Sequence, residues 1–327
     1  MANVITSDEI DFSVYEIETD AQQKVKSASL YVQALLDRIA SPVRAKQNLM
    51  PWGKTHKLLQ FRPGEVTVWG GPNGSGKSLV TGQVALSLCA QDERVGVASF
   101  EMKPIRTLER MGRQWTKCNP NDPLVLSDPS ERREMIDLFE QFRDWTDSRM
   151  WLYDQQGTVH WKQVCAVARY CAKELKITQF FIDSLMKCVA GEDDYNGQKA
   201  FVDEACAIAR DNNIHIHLVH HIKKPATDSQ KPSKYDFKGT GAITDQPDNV
   251  VCVWRNKEKE RNVRAGKAVS ETEPDAMLIV DKQRNGEGWE GNIGLWFDRN
   301  SQQFVAGNNV GPMDFYRAPQ EENEGFV

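Results

Sequence analysis

From Glu65 onwards, short apolar runs alternate with longer stretches whose apolar positions recur at helical spacing. The short runs are bounded by polar or turn-forming residues and are predicted to be buried strands. This alternation predicts an α/β fold, with a mostly parallel twisted sheet flanked by helices on both faces. The predicted strands are 66–70, 95–100, 179–184, 215–220, 249–254 and 276–282, and the predicted helices are 78–90, 104–117, 158–175 and 199–213.

The chain before Glu65 has a different pattern. Its first residues are polar and acidic and predict a flexible arm. Residues 20–41 carry apolar side chains near helical spacing, which predicts an amphipathic helix, and the prolines and glycines of 42–64 indicate a connector with turns. The predicted divisions are an arm at 1–19, a linker helix and connector at 20–50, a folded domain at 51–310 and an acidic tail at 311–327.

The composition narrows the class of protein. Hydrophobic residues make up 40% and charged residues 27% of the 327 residues, which is typical of globular domains. The net charge of −5 excludes a uniformly basic nucleic-acid coat, although a local basic surface is enough for nucleic-acid binding. No stretch approaches the roughly 18 apolar residues of a membrane span. The acidic start and seven scattered cysteines without a C-x-x-C favour a reducing cytoplasm and no membrane partner.

The strongest motif follows the first predicted strand and precedes the first predicted helix. It fits G-x-x-x-x-G-K-[ST], whose glycines let backbone N–H groups surround phosphate oxygens. Lys77 is expected to reach the β- and γ-phosphates, and Ser78 to hold Mg²⁺. The alternative is a glycine-rich turn without a ligand. The predicted phosphate-binding residues are Gly71, Pro72, Asn73, Gly74, Ser75, Gly76, Lys77 and Ser78.

Two carboxylates end predicted strands at the edge of the sheet where open α/β proteins bind ligands. Asp183 ends the strand 179–184 and is a candidate to hold Mg²⁺ through water; the alternative is an Asp that caps a helix. Glu101 follows the strand 95–100 and is a candidate general base for the attacking water; the alternative is a surface Glu.

At these residues the chain resembles a known family. Residues from about 50 to 305 resemble the ATPase domain of RecA-like ring helicases, which are the DnaB-type bacterial replicative helicases and the helicase half of phage primase–helicases and mitochondrial Twinkle. The last two matching segments are the most specific, and the His in HHIKKP, where DnaB-type proteins carry Gln, favours the phage-type branch. The segments are GGPNGSGKS (70–78), ASFEM (98–102), FFIDS (180–184), HHIKKP (220–225), FKGTGAITDQPDNVVCVWRN (237–256) and DKQRNG (281–286).

The resemblance implies a RecA-like P-loop ATPase core that uses ATP, or another NTP or dNTP, with Mg²⁺. It implies that Glu101 is the catalytic base, that Asp183 and Ser78 lie on the metal side, and that His221 senses the γ-phosphate. The KQRNG segment is expected to act across a subunit interface, with Arg284 as arginine finger. The implied catalytic set is Lys77, Glu101, Asp183, His221, Lys282 and Arg284.

The DNA partner is predicted from a lysine-rich segment and from the resemblance. Residues 222–238 contain five lysines and two aspartates, which suits sequence-independent phosphate contacts; the alternative is a solvated surface loop. The resemblance places the following K-G-T-G block at the central channel. The acidic loop after FFIDS is a second candidate. The predicted DNA-binding residues are Lys231, Lys234, Lys238, Gly239, Thr240 and Gly241.

Several weaker sequence signals remain, and most of them have two interpretations. The four histidines within 215–221 suit either a metal site or a central strand, and Phe304 suits either adenine stacking or the core. The charged run 255–267 is typical of a solvated surface. By resemblance the linker helix packs on an adjacent subunit; otherwise it packs on its own domain.

These observations predict an ATP-dependent hexameric helicase or translocase that moves on single-stranded DNA during DNA replication, from a phage or other mobile element and located in the cytoplasm. The alternatives are a RecA- or KaiC-like ATPase that does not unwind, or a nucleotide-gated loading or adaptor protein. No primase region precedes residue 50, so we expect no primase activity. The acidic end, Glu321, Glu322 and Glu324 followed by Phe326, is expected to bind a replisome partner or, alternatively, to be a solubilising end.

Overall fold

We describe residues 3–5, 27–41, 48–225, 227–316 and 318–319 of a computed structural model. The strands within these residues are β1 (Asn3–Ile5), β2 (Asn48–Leu49), β3 (Gln60–Phe61), β4 (Val66–Gly70), β5 (Val95–Ser99), β6 (Met150–Tyr153), β7 (Gln179–Asp183), β8 (His215–Val219), β9 (Asn249–Arg255), β10 (Ala276–Gln283), β11 (Gly291–Asp298) and β12 (Gln303–Val305). The α-helices are α1 (Ala28–Ala40), α2 (Lys77–Ala90), α3 (Pro104–Thr116), α4 (Pro123–Ser127), α5 (Pro129–Thr146), α6 (Trp161–Lys173), α7 (Tyr195–Asn212), α8 (Ala242–Asp245) and α9 (Lys257–Arg264).

Ten strands form one sheet in the order β1, β6, β5, β7, β8, β4, β9, β10, β11, β12, and β2 pairs with β3. The first seven strands in that order run parallel, and the last three are antiparallel. The central strands β4, β5, β7 and β8 are buried along their whole length, which is typical of strands covered on both faces. The predicted α/β fold with a mostly parallel sheet is confirmed.

The apolar core lies on both faces of this sheet. Successive strand side chains point to opposite faces, so Val68 joins the cluster under α6 and α7 while Trp69 joins the cluster under α2 and α3. A side chain at position 70 would clash with the ring of Phe237, which lies 2.2 Å from where a Cβ atom of residue 70 would be. This close approach brings the segment after β8 down onto the end of β4.

Several elements differ from the sequence predictions. Residues 3–5 fall in the predicted flexible arm but form an edge strand that pairs with β6. The pattern also missed α5 and β6, because α5 is polar on most of its surface and β6 has only four residues. The charged run 255–267, interpreted as a solvated surface, contains α9, on which only Lys259 is buried.

Helix α1 occupies part of the predicted linker helix, and residues 20–26 of that prediction lie outside the described residues. The helix begins where the Ser27 side chain accepts a hydrogen bond from the Ser29 N–H. Its apolar side chains Tyr31, Val32, Leu35, Leu36 and Ile39 are all exposed, by 44% to 70%. The apolar side chains of α1 that the structure describes therefore do not pack on the rest of the domain.

Six of the seven cysteines are buried and Cys118, between α3 and α4, is partly exposed. Burial raises the pKa of the Cys165 thiol to about 12 and that of Cys206 to about 11. Buried, protonated thiols of this kind are unreactive. No helix in the described part of the chain is long and apolar enough to cross a bilayer.

Candidate active site

The phosphate loop connects β4 to α2 at the carboxyl end of the sheet. Gly76 caps α2 with a φ of 93°, a conformation that favours glycine. Lys77 is the first residue of α2, and its Nζ donates to the carbonyl oxygens of Gly71 at 2.8 Å and Pro72 at 3.1 Å. Burial lowers the pKa of Lys77, and the nearby carboxylates of Asp183 and Glu101 oppose that shift. The amino group therefore lies inside the loop, close to both carboxylates.

Ser78 and Asp183 are brought together, although 105 residues separate them. The Ser78 hydroxyl donates to Asp183 Oδ2 at 2.7 Å, at the end of β7. Burial raises the pKa of Asp183, while the bond from Ser78 lowers it. Their hard oxygen atoms suit Mg²⁺, which proteins usually hold by one or two such groups together with substrate phosphates and water. The described residues contain no cluster of three or more His, Cys, Asp or Glu placed to hold a metal ion.

Glu101 lies just after β5, beside Asp183 on the neighbouring strand. Its Oε1 accepts hydrogen bonds from the Ser184 hydroxyl at 2.9 Å and from His221 Nε2 at 3.0 Å. The bond from His221 is the main cause that lowers the pKa of Glu101 to about 2; burial opposes it and Ser184 adds to it. Glu101 is therefore ionised and held in place by two side chains. Ser184 had no predicted role, although its position directly after Asp183 was the available signal.

A cleft of about 660 Å³ joins these groups, since Lys77, Ser78, Glu101, Asp183 and His221 all line it. That volume suits a nucleotide-sized ligand. The same cleft has a positively charged wall from side chains that the sequence analysis had not selected, Arg110 and Arg255. A second cleft of about 600 Å³ adjoins it and is lined by Lys187, Lys224 and Lys238 together with Glu101 and His221.

Lys282 and Arg284 lie elsewhere in the same chain. The strand β10 is antiparallel to β9, and Gln283 pairs with Asn249 at the start of β9, so Arg284 lies beyond the amino end of the parallel sheet. The phosphate loop lies at the other end of β4, five residues or about 16 Å away at 3.3 Å per residue. The structure therefore does not bring these two cations to Lys77 and Glu101 of their own chain.

Both cations bind the C-terminal end of α8. Lys282 Nζ donates to the carbonyl oxygens of Thr244 at 2.9 Å and Asp245 at 2.6 Å. Arg284 Nη2 donates to Asp245 O at 3.1 Å, and its Nη1 lies 3.4 Å from the Asp248 carboxylate. Cations are favourable at a helix C-terminus because carbonyl groups without partners lie there. The Arg284 side chain remains 45% exposed.

The predicted DNA-binding residues lie along one segment that folds onto the domain. Lys231 Nζ lies over the Trp254 ring, 5.9 Å from its centroid, and Lys234 Nζ donates to Asp281 O at 3.2 Å. Lys238 forms a salt bridge with Glu192, in the second candidate loop. Lys238, Gly239, Thr240 and Gly241 therefore lie next to that loop, while Lys231 and Lys234 contact β9 and β10.

The structure also places the histidines of 215–221 and Phe304. His215 and His217 are buried side by side in β8, and the His217 ring stacks on Phe181 at 4.0 Å between centroids. Burial lowers the pKa of His215 and of His220 to about 4, so both are neutral at pH 7. Phe304 is 4% exposed and belongs to the apolar core.

Comparisons with known proteins agree with this fold. A solved structure described as an ATPase domain has a TM-score of 0.72 and 14% identity, over 86% of this chain and 99% of the other. Another, "The Structure Of A DnaB-Like Replicative Helicase And Its Interactions With Primase", has a TM-score of 0.68 and 13% identity, over 86% and 67%. At these identities the likeness shows the fold. A family model, DnaB-like helicase C terminal domain, matches residues 56–306. The chain therefore belongs to the family of the DnaB-like helicase C-terminal domain.

Proposed function

We propose that this protein is an ATP-driven helicase that moves on single-stranded DNA during replication as a hexameric ring. The observation that carries the proposal is the grouping of Glu101, His221 and the Ser78–Asp183 pair around one cleft at the mouth of the phosphate loop. In this proposal residues 51–310 form the motor domain, 20–50 the linker and 311–327 a tail for a replisome partner. Residues 1–2, 6–26, 42–47, 226, 317 and 320–327 lie outside the described residues.

The chemistry is hydrolysis of ATP, or of another NTP or dNTP, by in-line attack of water on the γ-phosphate. Lys77 neutralises charge on the β- and γ-phosphates, and Mg²⁺ held by Ser78 and Asp183 supplies further charge stabilisation when bound. Glu101 orients the water. Its contact with His221 keeps the carboxylate ionised but weakly basic. When His221 turns to the γ-phosphate it releases Glu101, whose basicity then rises at the moment when it is needed.

The second half of the active site comes from the neighbouring subunit in this proposal. Arg284 and Lys282 lie at the opposite end of the sheet from their own phosphate loop, so each serves the next subunit. The exposed apolar side chains of α1 need a partner, and α3, α4 and α5 carry exposed apolar side chains on packed neighbouring helices: Ile105, Leu124, Leu126 and Ile136. Packing of α1 against α3–α5 of the next subunit repeats around a closed ring.

A duplex-unwinding assay tests the proposal. With ATP, Mg²⁺ and a forked duplex, we expect strand separation, ATPase activity that rises with oligo-dT, and ring-shaped particles by electron microscopy. Stimulated ATPase activity on filaments without unwinding would favour a RecA-like protein. Rings that bind DNA without hydrolysing ATP would favour a loading or adaptor protein.

A further inference from the structure

Gln198 joins two loops that lie far apart in the sequence. It is in the first turn of α7 and is fully buried. Its Nε2 donates to the carbonyl oxygens of Gly191 at 3.1 Å and Glu192 at 2.9 Å, and its Oε1 accepts from the Thr240 N–H at 3.0 Å. One side-chain amide therefore binds the backbone of residues 190–194 and of residues 238–241 at the same time.

The surroundings of Gln198 are built for this bridge. Gly239 has a φ of 90°, and a Cβ atom there would lie 2.1 Å from Gln198 Oε1, so only glycine lets the backbone approach this closely. Lys238 and Glu192 form a salt bridge between the same two loops. Only a primary amide of this length has two donors for two carbonyl groups and one acceptor for an N–H.

The bridged loops connect to the nucleotide cleft. The Lys238 N–H donates to His221 O at 3.3 Å, and His220 Nε2 lies 2.8 Å from Lys238 O as its donor. His221 in turn contacts Glu101. Hydrogen bonds therefore run from Glu101 to the 238–241 loop, and through Gln198 to the 190–194 loop.

We propose that Gln198 is a positioning residue that makes loops 190–194 and 238–241 a single surface for the backbone of single-stranded DNA. A change at His221 then moves both loops together rather than one alone. The inference rests on the proposed function and adds to it a residue that contacts neither ATP nor DNA. It also gives the acidic 190–194 loop a role, because Glu192 holds Lys238 until a phosphate group competes for it.

The test compares Gln198→Glu and Gln198→Met with a matched control, Gln303→Glu. Gln303 is also fully buried and makes the same three bonds, from its Nε2 to Gln114 O and Met313 O and from the Met313 N–H to its Oε1. It lies on β12, the last strand of the sheet, whereas β7 and β8 lie near the middle of the sheet. Both glutamate variants place a carboxylate against two carbonyl oxygens, so both should lower the melting temperature.

The two sites should differ in their response to DNA. For both Gln198 variants we expect near wild-type basal ATPase activity and a rise of about tenfold or more in the oligo-dT concentration for half-maximal stimulation. Gln303→Glu should leave that concentration unchanged. Equal half-maximal concentrations in wild type and Gln198→Met would overturn the inference; this variant adds no charge and covers the case in which Gln198→Glu does not fold.

Hydrogen exchange without DNA separates this inference from the proposed function. The Thr240 amide should exchange faster in Gln198→Met than in wild type, and at the wild-type rate in Gln303→Glu. Unchanged exchange at Thr240 in Gln198→Met would overturn the bridge. Absence of oligo-dT stimulation in wild type itself would instead overturn the proposed function, whatever the exchange rates are.

Discussion

The two ends of the parallel sheet carry two different kinds of polar site. At the carboxyl end, Ser78 binds Asp183, and Glu101 accepts hydrogen bonds from Ser184 and His221, around one cleft. At the amino end, Lys282 and Arg284 bind the carbonyl groups at the end of α8 and face no comparable set of phosphate-binding groups. The first site is preorganised within the chain, whereas the second is a pair of cations bound to the end of a helix. In the proposed ring, the two ends of neighbouring chains together form one active site.

The largest effect on ATP hydrolysis is expected when the Arg284 cation at the amino end of the sheet is removed. Arg284→Ala should bind ATP almost normally and hydrolyse it roughly 10³-fold more slowly, because an arginine finger stabilises only the transition state. The measurement is kcat at saturating ATP, together with the Kd of a fluorescent ATP analogue. Full activity of Arg284→Ala would remove the functional difference between the two ends.

Mixing variants tests whether the site is shared. Lys77→Ala lacks the phosphate-loop amine and Arg284→Ala lacks the finger, so each protein alone should be nearly inactive. In mixed rings some interfaces combine an intact Lys77 with an intact Arg284, and activity should return in proportion to such interfaces. Mixing either variant with itself is the control. No recovery despite subunit exchange would place both groups in one chain's site.

The carboxyl end is tested by Glu101→Gln. The amide keeps the size of the side chain but removes the charge that orients the attacking water, so kcat should fall about 10²-fold while nucleotide binding persists. Glu109→Gln, on α3 where the half-buried Glu109 pairs with Arg106, is the matched control and should have wild-type kcat. Turnover by Glu101→Gln near the wild-type rate would exclude Glu101 as the base.

A smaller effect is expected from the lysines of the predicted DNA-binding segment. Lys238→Ala should lower oligo-dT stimulation several-fold with basal ATPase activity largely intact, and should reduce the slope of log affinity against log salt by about one. Lys231→Ala and Lys234→Ala test whether β9 and β10 also face the DNA. Unchanged stimulation in all three variants would place the DNA path elsewhere.

The smallest expected effect is a change in pH dependence. Because His221 holds the pKa of Glu101 at about 2, the folded state favours the ionised carboxylate, and this contribution to stability is present above pH 4.5 and lost as pH falls toward 2. His221→Ala should raise the pKa of Glu101 and shrink the loss of stability between pH 5 and pH 3. The free energy of unfolding, measured with urea at both pH values, reports this change. Ser184→Ala is expected to act in the same direction but less strongly. An identical pH dependence in His221→Ala would contradict the contact.

Sequence patterns predicted the central fold well for a physical reason. The strands β4, β5, β7, β8 and β9 are short and predominantly apolar, so their composition alone marks them. The phosphate loop likewise depends on local backbone geometry, which its glycines encode. The edge strand β1 and its neighbour β6 escaped prediction because strands of three and four residues are too short for a periodic signal.

The candidate site was predictable as a set of residues but not as a set of contacts. Glu101 and Asp183 each end a strand, which places them at one edge of the sheet without any knowledge of tertiary structure. Ser184, Gln198 and Asp248 became visible only in the structure, because each binds a group tens of residues away. Their residue types are common on surfaces, and apart from the position of Ser184 directly after Asp183 nothing local distinguishes them.

The distribution of cysteines has a practical consequence. Since six thiols are buried and Cys118 alone is partly exposed, a maleimide dye should react with the unmodified protein mainly at that one residue. Cys118 lies between α3 and α4, and α4 carries the exposed Leu124 and Leu126. A fluorophore there would change its emission when an apolar helix of another subunit covers this surface. The protein thus carries a built-in attachment point for an optical probe of its own assembly.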